Sequence, residues 1–141
     1  MNIDKEAFFW QIREGKLAPP KVAKTLGIKF LKISPEQGEI EIEFNAKEEF
    51  TNPVGNIQGG FLAAMLDDTM GPALAATLRK GEFAPTTNLN IQFLYPARVG
   101  KIYGFGKVEK KGKKVSFLSG KLVQGVNVIA TSTASALMSK L

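Results

Sequence analysis

Apolar and polar positions alternate along this chain with two different periods. From Gly38 to Phe44 the order is Gly-Glu-Ile-Glu-Ile-Glu-Phe, acid and apolar side by side at every step. A period of two puts Ile40, Ile42 and Phe44 on one face of a strand and the glutamates on the other, so one face is buried and one is wet. Residues 26–33 read as a partner strand, joined to 38–45 by the turn residues Pro35-Glu36-Gln37-Gly38. Nearer the start, Phe8, Phe9 and Ile12 recur at helical spacing behind Asp4. That spacing predicts a short amphipathic helix over residues 4–14, with Asp4 as its N-cap and Gly15 as its stop. Pro19-Pro20 argues against a prompt resumption of helix.

A longer apolar stretch, Phe61 to Leu78, has no alternation and is too long for a strand. It predicts a helix from about Gln58 to Arg79, closed by Arg79, Lys80 and Gly81, with a kink at Pro72. Four further strands are expected over 86–95, 101–110, 114–123 and 126–138. Lys110-Lys111-Gly112-Lys113 and Gln124-Gly125-Val126 form the tight turns between them. The expected fold class is α+β: one domain over residues 1–141, with an antiparallel sheet made of two strands and then a four-strand meander. A helix apolar on most sides has to be wrapped, and a strongly curved sheet around it meets that need.

The same helix carries two adjacent carboxylates, Asp67 and Asp68. Burying an unpaired carboxylate costs several kcal/mol, which marks at least one of them as functional. Just before it stands Asn-Pro-Val-Gly-Asn-Ile-Gln-Gly-Gly, Asn52 to Gly60, a turn-rich run that can present backbone N–H groups at a helix N-terminus. A carboxylate together with amide donors suggests acyl-transfer chemistry.

Composition narrows the chemistry. The 141 residues contain no cysteine and no histidine, which excludes disulfides, thiol nucleophiles, imidazole bases and His-rich metal sites. Acids, bases and nucleophiles reduce to Asp, Glu, Lys, Tyr, Ser and Thr. The acidic, polar start is unlike a signal peptide and no spanning segment is evident, so a cytoplasmic protein without a membrane partner is expected. The net charge of +6 suits either an anionic partner or solubility alone. The basic residues are scattered and lack a stacking-aromatic motif, so nucleic acid is not an expected partner.

With these elements placed, the chain resembles the hotdog-fold thioesterases, in particular the phenylacetate-pathway (PaaI-like) acyl-CoA thioesterase branch. The resemblance runs from about residue 26 to the end. It rests on Asn52-Pro53-Val54-Gly55-Asn56-Ile57-Gln58-Gly59-Gly60 followed by Asp67, similar to the family's Asn, Gly, His-Gly-Gly and downstream Asp. A second match is the run from Thr86 to Ala97 ending in Pro96-Ala97, with Gly100 beyond. The departure is Gln58 where the family usually has His; Gln donates an N–H but does not titrate near neutrality. The resemblance implies hydrolysis of an acyl-CoA thioester to carboxylate and CoA. No separate cofactor is implied, since coenzyme A is part of the substrate.

The candidate catalytic residues are Asp67, Gly59, Gln58, Asn52 and Thr86. Gly59 is the expected oxyanion donor, because a glycine at a helix start lets substrate approach the backbone where the dipole is positive. Asp67 is expected as nucleophile or general base, and Asp68, about 100° away round the helix, as a hydrogen-bonded structural carboxylate. Asn52 holds either the hydrolytic water or its own loop. Thr86 resembles the family's hydroxyl beside the catalytic acid. Eight helical residues span ~12 Å, too far for Gly59 and Asp67 of one helix to meet one carbonyl. Two antiparallel helices from two protomers bring them together, so a homodimer with two composite sites is expected, with further pairing to a tetramer open. Lys110, Lys111, Lys113 and Lys114 are candidates for the CoA phosphates, and Phe61, Phe93 and Tyr95 for an acyl pocket. The alternative reading is a non-catalytic acyl-thioester sensor on the same fold, towards which Gln58 leans.

Overall fold

The computed structural model describes residues 2–141. Its elements in order are α1 (Phe8–Arg13), α2 (Lys21–Leu26), β1 (Lys29–Ser34), β2 (Glu39–Ala46), a 3-10 turn (Glu48–Phe50) and α3 (Gly59–Ala75). Then follow β3 (Glu82–Phe83), β4 (Thr86–Phe93), β5 (Gly100–Lys110), β6 (Val115–Gln124), β7 (Asn127–Leu137) and β8 (Ser139–Lys140). Six strands form one sheet in the order β1-β2-β5-β6-β7-β4, every neighbouring pair antiparallel.

The alternation in β2 does what its period requires. Ile40, Ile42 and Phe44 are fully buried against α3, while Glu39, Glu41 and Glu43 face outward. The turn before it closes with Gln37 N–H to Ser34 O at 3.1 Å and with Gly38 at φ +67°, where a Cβ would be strained. On the concave side α3 contributes Leu62, Met65, Leu66, Thr69, Met70, Ala73 and Leu74 to the core. The sheet comes this close because glycines face the helix: a Cβ at Gly106 would lie 2.7 Å from the Thr69 carbonyl oxygen, and one at Gly120 would lie 2.9 Å from Met70 Cγ.

Several expectations need correction. The meander is three strands long, β5-β6-β7; β4 lies beyond β7 at the far edge, because residues 94–99 cross the end of the sheet instead of turning back beside it. Ile57 N–H bonds Ala97 O at 2.8 Å on that crossing and ties it to the loop before α3. The first helix begins at Phe8, not Asp4. Asp4 accepts from Glu6 N–H at 3.0 Å and from Lys80 N–H at 2.9 Å, so it locks a turn and clasps the segment that follows α3. Helix resumes immediately after Pro19-Pro20 as α2, since a helix start tolerates a proline that lacks an N–H.

The long helix ends at Ala75, about a turn short of Arg79. Thr77 N–H and Leu78 N–H bond three residues back and tighten the chain there. Its terminal carbonyls are taken from outside: Trp10 Nε1 donates to Ala76 O at 3.0 Å and Lys111 Nζ to Thr77 O at 2.6 Å. Pro72 therefore sits in the last turn. Nor is α3 wrapped on all sides. Gly60 and Asp67 are exposed and Ala63, Ala64 and Gly71 half-exposed, leaving an open flank of small residues.

Candidate active site

The residues singled out from the sequence gather in two places along α3. At its N-terminus, Asn52 organises the preceding loop: its Oδ1 accepts from Val54 N–H and Asn56 N–H, each at 3.1 Å, and its own N–H donates to Asn56 O at 2.7 Å. That loop sets Gln58 as the N-cap of α3, with its backbone N–H bonded to Phe50 O at 2.8 Å and its side chain exposed. Gly59 follows as the first helical residue, where a backbone N–H has no acceptor inside the helix. It faces a cavity of about 330 Å³ shared with Asn52, Asn56, Phe93 and Tyr95. A side chain at Gly59 would stand 3.3 Å from the Phe93 ring, so glycine is what leaves this amide approachable.

Two turns along, Asp67 is exposed on the open flank. Thr86, the first residue of β4, donates from Oγ1 to Asp67 Oδ1 at 2.8 Å. The pair borders a second cavity, of about 430 Å³, which also takes in Asp68. Its walls are mostly apolar, with Arg13 as the one cation; about half come from the N-terminal layer, among them Phe8, Phe9 and Ile12 of α1, Pro19 and Pro20, and Ile28 and Phe30 around β1. Asp68 is not the hydrogen-bonded carboxylate expected of it. Its Oδ2 is buried with no partner among the described residues. Burial first, and the Asp67 charge second, push its carboxyl up to about 6.

Asp67 and Thr86 are thus brought together, as are Asn52 and Gly59, while the two pairs open into different cavities of the same chain. Lys111 is not free to meet a phosphate, since its ammonium caps α3, and burial lowers its pKa. Phe61 stacks on Phe50 at 4.1 Å between centroids and belongs to the packing, whereas Phe93 and Tyr95 do line the Gly59 cavity. The cavity beneath α1 and α2 was missed in the sequence. Its only hint was the aromatic clustering of Phe8, Phe9 and Trp10.

A family model described as the Thioesterase superfamily matches residues 54–130, which spans both halves of α3 and most of the sheet. Human acyl-coenzyme A thioesterase 13 is 33% identical over 88 residues, 62% of this chain and 62% of that protein. The match therefore spans less than two thirds of that relative. A phenylacetic acid degradation-related protein of Ralstonia eutropha JMP134 is 38% identical, with TM-score 0.90 over 92% of this chain and 98% of its own. The PaaI protein of E. coli superposes with TM-score 0.81 over 99% of this chain and 96% of its own; at 20% identity that likeness concerns the fold.

Proposed function

Because the chain belongs to the thioesterase superfamily, we propose that it hydrolyses acyl-CoA thioesters to a carboxylate and free CoA at a site shared by two protomers. The observation that carries this reading is Asp67, held by the Thr86 hydroxyl at the border of a large apolar cavity. Human acyl-coenzyme A thioesterase 13 supports the substrate class by its name and its likeness to this chain.

The chemistry follows from the groups present. The thioester carbonyl oxygen lies at the Gly59 amide of one protomer, where developing negative charge is met by an unpaired N–H and the positive end of a helix dipole. A donor of this kind is worth ~2.7–4 kcal/mol of barrier. Asp67 of the other protomer acts at the carbonyl carbon. As a base it takes a proton from water while the water oxygen bonds to that carbon. As a nucleophile it bonds there itself, and water then splits the mixed anhydride. In either route the C–S bond breaks and the sulfur leaves as thiolate, to be protonated. No cofactor is required, and Gln58 supplies an N–H donor without a titrating proton.

Two features support the pairing of protomers. On one helix Gly59 and Asp67 lie ~12 Å apart. β4 is a free sheet edge that runs on into exposed Phe93, Leu94 and Tyr95 beside the open flank of α3. Long unpaired edges of this kind invite another strand. No helix among the described residues is long and apolar enough to cross a membrane.

Thiol release from acyl-CoA by the purified protein, compared with Asp67→Asn, tests the reading. A loss of two or more orders of magnitude in a folded variant is expected, and an unchanged rate would refute it.

A further inference from the structure

Four lysines stand in and beside the turn between β5 and β6: Lys110, Lys111, Lys113 and Lys114. Lys5, Arg79, Lys80 and Lys140 lie at the same end of the molecule. Lys111 Nζ on Thr77 O, Lys80 N–H on Asp4, the pairing of β3 with β8, and Met138 N–H on Lys114 O at 2.6 Å bring these segments together. Eight cations there stand against four acids, Asp4, Glu6, Glu82 and Glu109, so most of the net charge of +6 is concentrated at one end. The acids are engaged: Glu6 pairs with Lys80, Glu82 with Lys140, and Glu109 accepts from the Ser119 hydroxyl. Lys110, Lys113 and Lys114 are exposed and belong to no ion pair among the described residues. Beside them Val115, Phe117 and Leu137 are 39%, 51% and 43% exposed, so three large apolar side chains protrude within reach of three free ammonium groups. They share the outer face of the sheet. Val115 stands directly across from Leu137, Phe117 follows two residues on, and Ser116 and Leu118 are buried on the other face.

We infer that this end of the sheet docks on the surface of an anionic phospholipid bilayer. Lys110, Lys113 and Lys114 meet the headgroups, while Val115, Phe117 and Leu137 enter the boundary beneath them. Lysine suits a diffuse anionic surface, since its ammonium is a compact point charge, whereas a built phosphate site favours the arginine fork. None of these lysines lines the Asp67 or the Gly59 cavity. Contact of this kind needs charge and a few apolar side chains, not a spanning helix. The patch also lies away from Phe93, Leu94 and Tyr95: Leu137 pairs with Val115 at one end of β7, and Ala130 pairs with Phe93 towards the other. The pairing of protomers proposed for that edge therefore does not use it.

The test is sedimentation of the full chain with vesicles of phosphatidylcholine alone and of phosphatidylcholine mixed with phosphatidylserine. Binding to the mixed vesicles is expected at about 0.1 M salt, and loss of that binding at about 1 M, where the reach of charge falls from about 10 Å to about 3 Å. A lysine at an anionic surface is worth about fivefold in affinity, so Lys110→Gln, Lys113→Gln and Lys114→Gln combined should weaken binding by roughly tenfold or more. Phe117→Thr, which keeps a β-forming residue, should weaken it at both salt concentrations. Circular dichroism melting establishes that each variant is folded. No affinity for the mixed vesicles, or equal affinity for the neutral ones, overturns the inference. So does a folded triple variant that binds as the wild type does, including one whose KM for acetyl-CoA has risen, which would assign the lysines to the coenzyme phosphates. Light scattering adds the remaining check: a fall in the mass of the assembly on Phe117→Thr would show the face covered by a second copy and would also overturn it. Sedimentation is read without turnover, so its outcome and that of the thiol-release assay are separate.

Discussion

The hydroxyl of Thr86 donates a 2.8 Å hydrogen bond to Oδ1 of Asp67 across nineteen positions of chain, joining the first residue of β4 to the middle of α3. This bond aims one carboxylate oxygen and leaves the other available at the cavity. It also makes the edge strand part of the site, so whatever docks on β4 bears on the position of Asp67.

Thr86→Val keeps the β-branched shape and removes the donor. Loss of a hydrogen bond to a charged group costs about 1.5–3 kcal/mol, so a fall in kcat of roughly ten- to hundred-fold is expected with little change in Tm. Steady-state kinetics beside a melting curve checks this, and undiminished kcat would mean that Asp67 is aimed by something else.

Asp68 gives the fold a dependence on pH. Its carboxyl is raised from 3.8 to about 6, so folding favours the protonated acid. The stability this contributes is complete below pH 3.8 and is lost as pH rises through about 6. A shift of that size corresponds to about 3 kcal/mol, which partial contact with solvent reduces to ~1–2 kcal/mol. Asp68→Asn should therefore raise Tm well above pH 6 and remove this component of the profile. Profiles of equal slope for the two proteins would contradict it.

Asn52→Ala removes the acceptor shared by Val54 N–H and Asn56 N–H. With two backbone donors left to find water, a loss of about 1–2 kcal/mol is expected in urea unfolding. The amide protons of Val54 and Asn56 should exchange faster. Unaltered exchange would show the loop to be held by its backbone alone.

Gly106→Ala places a methyl 2.7 Å from a backbone carbonyl that has no rotamer with which to move aside. Overpacking of this kind costs about 1–3 kcal/mol. Gly60→Ala, on the exposed flank of α3 with nothing within 4 Å of the new carbon, lacks that clash and serves as the reference in the same denaturant titration. Equal midpoints for the two would argue that sheet and helix can separate without cost.

The edge strand carries the expectation for assembly. Phe93→Glu combined with Leu94→Glu puts charge on the exposed end of β4 and should convert a dimer to a monomer in light scattering, with thiol release lost alongside. A doubly substituted monomer that retains full turnover would disprove the shared site.

Much of this was legible in the chain because the periods were clean. β2 announced itself through Glu-Ile alternation that one face of a helix-packed sheet demands, and α3 through a run too long and too apolar for a strand. The carboxylate that such a run makes costly is Asp68, whose Oδ2 is buried, whereas Asp67 lies exposed on the open flank. The placement of β4 was not legible: an antiparallel strand has the same pattern beside β5 or beside β7, and only the path of residues 94–99 decides. Nor were α2 or the cavity beneath it. Pro19-Pro20 looks the same whether it forbids a helix or starts one, and the cavity is made by tertiary approach of α1 to α3. Asp4 misled for a related reason, since its carboxylate found backbone amides both two residues on and in the segment after α3.

The bond from the Trp10 indole to the Ala76 carbonyl has a practical consequence. Trp10 is the chain's single tryptophan. Its ring meets Phe9 edge-on at 5.1 Å, and Phe9 is part of the cavity wall. Excitation at the red edge of the near ultraviolet, where tyrosine no longer absorbs, thus interrogates one place, the seam where α1 grips the end of α3, and any occupant that shifts this wall is reported by a lamp built into the native chain.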